Sequence, residues 1–461
     1  MKQIQEKFIV KLSWSLLFFI VLQPILDIVT SISIFYYDTT VTIGIVVRLL
    51  FMFLAAVYLV LSPLVGLRKV AVIYLSSLLL IIGIGFISGF MIKPNFHLFS
   101  EAQFYAKGYY FIVMFISYTF ALLILKDSTE KKLIAIVINP IVVAMTIVGV
   151  VFLITTMTGT GFDTYRHMKA GNKGLFNAGN EIGAILSIGL PIVILYGIKC
   201  TEKVRDFYCW IPSLLVIFSL VMLGTKVGYL AVMVTLVITF FFLAINQFKK
   251  TAEGNQKLNL IIISLILATM TIITPFTPAF SNTEMHMKVI DDTNDLEGLS
   301  EENKDEAIND ANIRIFTNKY ADRFVSIILS SRQIFLIETQ QMFNEAPLIQ
   351  KLFGMGYAGN YPDTPKLIEM DFLDLFYSYG IVGFIVFLLP FIIAVGVLTV
   401  NYKLYKNKLC KVEFVLVLCS LLLGFGIAFV AGHVLFAPAV SIYLAFLLAY
   451  VFTDFEIVKS R

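Results

Sequence analysis

The chain has 461 residues, 59% of them hydrophobic and only 14% charged, with a net charge of +4. Soluble domains are roughly 45–50% apolar and ~25% charged, so this composition excludes a disordered chain, a nucleic-acid-binding module and a soluble enzyme with a polar shell. What remains is an all-α polytopic integral membrane protein, with room for about ten to fourteen helices at roughly 20 residues per span.

In chain order, apolar runs predict twelve spans, near 9–34, 41–64, 70–91, 109–125, 133–157, 181–198, 207–223, 227–246, 258–280, 378–400, 412–431 and 437–454. The first is too long, and lacks a small-residue cleavage site, for a cleaved signal peptide. With the N-terminus inside, the inner segments hold 20 Lys and Arg and the short outer loops six, among them Lys107 and Lys226. The positive-inside rule then places both termini in the cytoplasm. Three regions follow: spans one to nine in 1–280, an extracytoplasmic loop at 281–377, and spans ten to twelve in 378–461. Cys200, Cys209, Cys410 and Cys419 form no CxxC pair, so neither a disulfide framework nor a zinc site is expected.

The long loop starts acidic: residues 291–310 carry nine acids and one lysine, without the spacing of an EF-hand, and read as a solvated tether. Beyond it, Ile313, Phe316, Tyr320, Phe324, Ile327 and Ile328 recur at helical spacing and predict an amphipathic helix. A second helix is expected near 332–344, followed by the irregular stretch FGMGYAGNYPDTP, whose Tyr357 and Tyr361 could stack on sugar faces.

A charge inside a span costs roughly 2.5–3.5 kcal/mol, so each one needs a reason. Asp27 and Arg48 fall in the first two spans, about seven to nine residues from the outer ends, or on the order of 10–13 Å deep. They read either as a neutralising ion pair or as an arginine that meets an anionic head group with Asp27 orienting it. Lys226 stands in the outer turn Gly224-Thr225-Lys226, as a snorkelling lysine or a site residue. Glu181 opens span six and reads first as a partner of that helix's N-terminal dipole. The four histidines share no metal-ligand spacing; His433, in AGHVLFAP between the last two spans, is the one singled out. These polar groups cluster in the outer half of the membrane, whereas alternating-access transporters place theirs near the midplane.

Several motifs make the chain resemble the O-antigen polymerase and ligase superfamily, in its capsule and exopolysaccharide branch. The residues are Gly174-Leu175-Phe176-Asn177 with Asn180, Gly224-Thr225-Lys226, Ser330-Ser331-Arg332, Pro347 with Gly354 and Gly356, and Phe372-Leu373 ahead of Gly380 and Gly383. Where that family has histidine and asparagine, this chain has Glu369 and Met370, a departure from the ligases that fits polymerase-like relatives better. The resemblance implies a glycan moved from an isoprenyl diphosphate carrier to a sugar hydroxyl, without metal or cofactor. Arg332 and Lys226, with Arg48 as a third cation, would then meet the diphosphate, and Glu369 would be the general base with Asp371 as its substitute. Asp27, His433, Gly354 and Gly356 would support them. Glu369, Asp371 and Asp374 can equally be acids that face the dipole of the following helix. The expected partners are undecaprenyl-diphosphate-linked oligosaccharide, the bilayer of the bacterial cytoplasmic membrane, and the chain-length regulator and flippase of the same pathway. A ligase, a lipid-linked oligosaccharide flippase and a structural membrane partner are the alternatives.

Overall fold

The computed structural model describes residues 2–39, 41–165, 169–249, 255–285, 287–288, 332–361 and 366–458. The acidic tether and the amphipathic helix expected from Ile313 onward lie outside the described residues. The helices among the described residues include α1 (Lys2–Tyr37), α2 (Ile43–Leu61), α3 (Val65–Ile92), α4 (Leu98–Ser128), α5 (Leu133–Thr158), α6 (Gly179–Cys200), α7 (Ile211–Leu223), α8 (Lys226–Lys249) and α9 (Gln256–Ile273). Then follow α10 (Arg332–Glu345), α11 (Leu348–Phe353), α12 (Asp371–Val400), α13 (Tyr402–Leu409), α14 (Val412–Val430) and α15 (Pro438–Asp454). Among the described residues, 11 helices are long and apolar enough to cross a membrane, and α15 is a shorter apolar helix of 17 residues.

Local chemistry sets the ends. The Thr42 hydroxyl accepts the Ile45 N–H and caps α2. Gly159 and Gly224 close α5 and α7 in the left-handed conformation that glycine adopts without a Cβ penalty. The centre of the bundle is α4, α6 and α15. These are apolar all round and buried almost throughout, as a helix surrounded by other helices must be. Aromatic rings lock them together, with Tyr118 edge-on to Phe446 at 5.0 Å. Around that centre, α1–α3, α9 and α12 turn Phe18, Phe53, Leu80, Phe90, Ile272 and Ile392 outward, as a lipid-facing surface requires.

Two expected boundaries move. Span four, expected at 109–125, belongs to a helix that starts at Leu98, so Lys107 stands on α4 and not in a loop. Its polar first turns are covered by protein: Glu101 is 2% exposed, and hydropathy alone reads such residues as the end of a span. Span ten, expected from 378, continues a helix that starts at Asp371. Gly380 does not open that helix but interrupts it, with φ 69° and ψ −179°. The freed carbonyls are taken up from outside: Met355 N–H donates to Tyr377 O at 2.9 Å and Gly356 N–H to Ser378 O at 3.2 Å. The Tyr105 hydroxyl also donates to Ser378 O at 3.2 Å. Gly354, at φ 97°, packs so closely on Ser378 O that a Cβ would collide. The stretch after α11 therefore completes a broken helix, which is how non-helical backbone is tolerated inside a bundle.

Candidate active site

A cavity of about 330 Å³ opens at the end of the bundle where α4, α6, α12 and α15 begin. Lys107, Glu181, Tyr357, Glu369, Asp371, Asp374 and His433 line it. Two aspartates build one side. The carboxylate of Asp371, 3% exposed, accepts the N–H groups of His433, Val434 and Leu435 at 3.0, 2.8 and 2.7 Å. The carboxylate of Asp374 accepts Ile368 N–H at 3.0 Å and Met370 N–H at 3.1 Å. Each aspartate thus fixes a short loop, and each loop holds one non-glycine residue at positive φ: Glu369 at 63° and His433 at 60°. Non-glycine residues rarely adopt that conformation, and those that do often sit at functional sites. Between them, Gly432 (φ 65°) leaves room that a Cβ would fill, 2.6 Å from Glu369 O.

The two strained residues face each other. His433 Nε2 lies 3.9 Å from Glu369 Oε2, an ion-pair distance. Arg332 Nη2 approaches the same oxygen at 3.5 Å and Ala431 O at 3.4 Å, and Lys366 Nζ reaches Glu369 Oε1 at 2.9 Å. The pairing with His433, helped by Lys366, pulls the Glu369 carboxyl down to about 2 against the opposing effect of burial. Reciprocally, Glu369 raises the His433 imidazole above its usual value, with Glu181 and Asp371 adding to it and burial working against it.

Across the cavity the arrangement differs. Lys107 and Glu181 line it without a hydrogen bond or ion pair among the described residues. The α6 start is capped by no side chain, so Glu181 is not spent on a cap. A buried ion pair between Lys93 and Glu101 braces the rim: Lys93 donates to Tyr357 O at 2.8 Å, and Glu101 accepts Tyr357 N–H at 2.8 Å. Gly356 packs against that Glu101 carboxylate.

Of the site residues expected from sequence, Glu369, Asp371, Arg332 and His433 come together here, with Gly354 and Gly356 in the supporting loop. Arg48 and Asp27 form an ion pair at 2.5 Å, with Gln23 accepting from Arg48 Nε at 3.0 Å. They line a second, smaller cleft of about 70 Å³. Lys226, at the start of α8 beside Lys169, lines neither cavity. The sequence reading did not single out Lys107. The signal was present: Phe104, Tyr105 and Gly108 carry the apolar face of span four upstream past that lysine. Among the described residues no cluster of His, Cys, Asp and Glu could hold a metal ion.

No curated protein matches the chain. A comparison with protein families does: residues 10–458, nearly the whole chain, match the O-antigen ligase like membrane proteins. That match covers the helices that build the bundle and its cavity, and the chain therefore belongs to the O-antigen ligase-like membrane protein family, whose membership implies a membrane enzyme acting on lipid-linked glycans.

Proposed function

We propose that the protein is a glycosyltransferase that polymerises isoprenyl-diphosphate-linked oligosaccharide repeats at the outer face of the bacterial cytoplasmic membrane. Both termini then lie in the cytoplasm and the 281–377 loop outside it. The observation that carries this reading is the cavity where Lys107 and His433, with Arg332 and Lys366 behind them, meet a ring of carboxylates. Glycan transfer from a diphosphate breaks the anomeric C–O bond and leaves charge on the diphosphate, which fixed cations stabilise as it develops. Arginine suits that task because it stays ionised and binds phosphate oxygens with its planar fork.

Glu369 takes a different role from the general base expected for it. A carboxylate bonded to cations, with its pKa near 2, is a weak proton acceptor at neutral pH. It serves instead as the resting counter-ion of Arg332, Lys366 and His433, holding them in place until the diphosphate takes them over. Asp371 is equally unsuited to be the substitute base, because its oxygens already accept three backbone N–H groups. It shapes the site. Lys226 is left out of the diphosphate contacts, and Arg48 serves the smaller cleft.

The test is reconstitution in liposomes with purified lipid-diphosphate repeat units. Glycans should lengthen, a chelator should not stop them, and Arg332→Ala should reduce elongation by at least tenfold in a protein that still folds and inserts. Movement of lipid-linked glycan between leaflets without elongation would refute the reading in favour of a flippase. Transfer only to a chemically different acceptor would convert it to a ligase.

A further inference from the structure

The two cavities share a wall, and that wall is Glu181, which lines both. The smaller cleft has the wrong charge for a phosphate. Asp27 already neutralises Arg48, and Glu181 adds a carboxyl to the cleft and no further cation. Its remaining polar side chains are neutral: Asn177, which is exposed, Ser31, whose hydroxyl already donates to Asp27 O at 2.9 Å, and Thr30, whose buried Oγ1 has no hydrogen-bond partner among the described residues. A buried hydroxyl without a partner costs free energy unless a ligand or water completes it. At about 70 Å³ the cleft takes one hydroxyl-bearing edge of a sugar ring, with the rest of the glycan outside it.

Four carboxylates line the larger cavity, and three are committed. Asp371 and Asp374 hold backbone N–H groups, and Glu369 holds cations. Glu181 has no such bond among the described residues, although Asp27, Arg48, Lys107 and His433 all lie within electrostatic reach of it. It therefore stands free between a hydroxyl-binding cleft and a cation-bearing cavity.

We propose that Glu181 is the general base of the transfer and that the Asp27–Arg48 cleft is the acceptor subsite, with the donor diphosphate sugar in the larger cavity. The inference rests on the glycan-transfer reading and deepens it. The acceptor hydroxyl oxygen forms the new bond to the anomeric carbon of the donor. The bond from that carbon to the diphosphate oxygen breaks, and its electron pair leaves with the diphosphate. The hydroxyl proton passes to a carboxylate oxygen of Glu181. Lys107, on the same side of the cavity, is placed to meet the departing charge.

The experiment uses the full chain in liposomes with two substrates: lipid-diphosphate repeat units as donor, and a fluorescent, lipid-free repeat-unit glycan as acceptor. Glu181→Gln keeps the shape and removes the base. It should lower kcat by roughly 10²–10⁴-fold while binding of the donor stays within about twofold, and it should remove the acidic limb of the rate-against-pH profile. Thr30→Val and Asn177→Ala, which leave the base in place, should raise the acceptor KM severalfold with kcat little changed. Elongation by Glu181→Gln at the wild-type rate overturns the assignment while leaving glycan transfer intact. So does a loss of donor binding that matches its loss of rate. A wild-type protein that never elongates overturns the transfer reading itself and this inference with it.

Discussion

The two sides of the larger cavity use charge in opposite ways. On the side made by residues 368–374 and 431–437, every carboxylate is bonded: Asp371 and Asp374 to backbone, Glu369 to Arg332 and Lys366. On the side made by α4 and α6, Lys107 and Glu181 face the space without such bonds among the described residues. The first side is construction. Its aspartates are consumed in holding two residues in left-handed backbone so that they meet, and its glutamate in pairing with cations. The second side is held in place by its helices, and its charges are left over for a ligand. Acidic residues in one cavity are therefore not interchangeable candidates for catalysis; what each is already bonded to separates them.

The sharpest way to break this comparison is Asp371→Asn. An amide cannot accept three N–H groups as a carboxylate does, and hydrogen bonds to a charged group contribute roughly 1.5–3 kcal/mol each. Thermal unfolding in detergent should show a clear loss of stability, and elongation should fall by more than about 100-fold because the His433 loop is released. If stability is unchanged, the constructive role is wrong. Next in size is Lys107→Ala, which removes a charge without disturbing a bond. Donor binding, read by titration with lipid-diphosphate glycan, should weaken about tenfold while the unfolding temperature holds.

A smaller effect concerns pH. His433 has its folded pKa raised above 6.5, so its pairing with Glu369 is fully present below that value and is lost as pH rises through the raised pKa. Glu369 is lowered from 4.5 to about 2, so its share is present above about 4.5 and is lost as pH falls toward 2. Donor affinity should therefore decline as pH rises through that raised value, and His433→Gln should flatten the decline. An unchanged profile in the variant would remove His433 from the anion site. The smallest effect is expected for Lys226→Ala: outside both cavities, it should alter elongation less than about twofold.

Much of this is legible in the sequence. Runs of about 20 apolar residues fix a helical bundle because lipid leaves the backbone no other way to satisfy its polar groups. Arg332 and Glu369 were marked by their motifs, and Asp27 with Arg48 by the cost of burying charge. Glu181 was visible as an acid in the first turn of α6, where it stands; that it also lines both cavities is a tertiary fact that spacing does not encode. Lys107 was hidden because it lies on a helix covered by protein, where a polar residue ends the hydropathy signal but not the helix. The role of Asp371 depends on residues 433–435, some sixty positions away, a contact that no local pattern encodes.

The interruption at Gly380 has a consequence for assembly. In hydrocarbon the carbonyls of Tyr377 and Ser378 would be left bare, at a cost of several kcal/mol for each unsatisfied group. Their donors, Met355 and Gly356, lie more than twenty residues earlier in the chain, after α11. The tenth span thus has no complete form by itself. It can settle only once the 354–356 stretch has folded back against it, so completion of that span and folding of the loop before it are one event. A chain cut between residues 356 and 371 and expressed as two pieces should recover a stable tenth span only when both pieces are present.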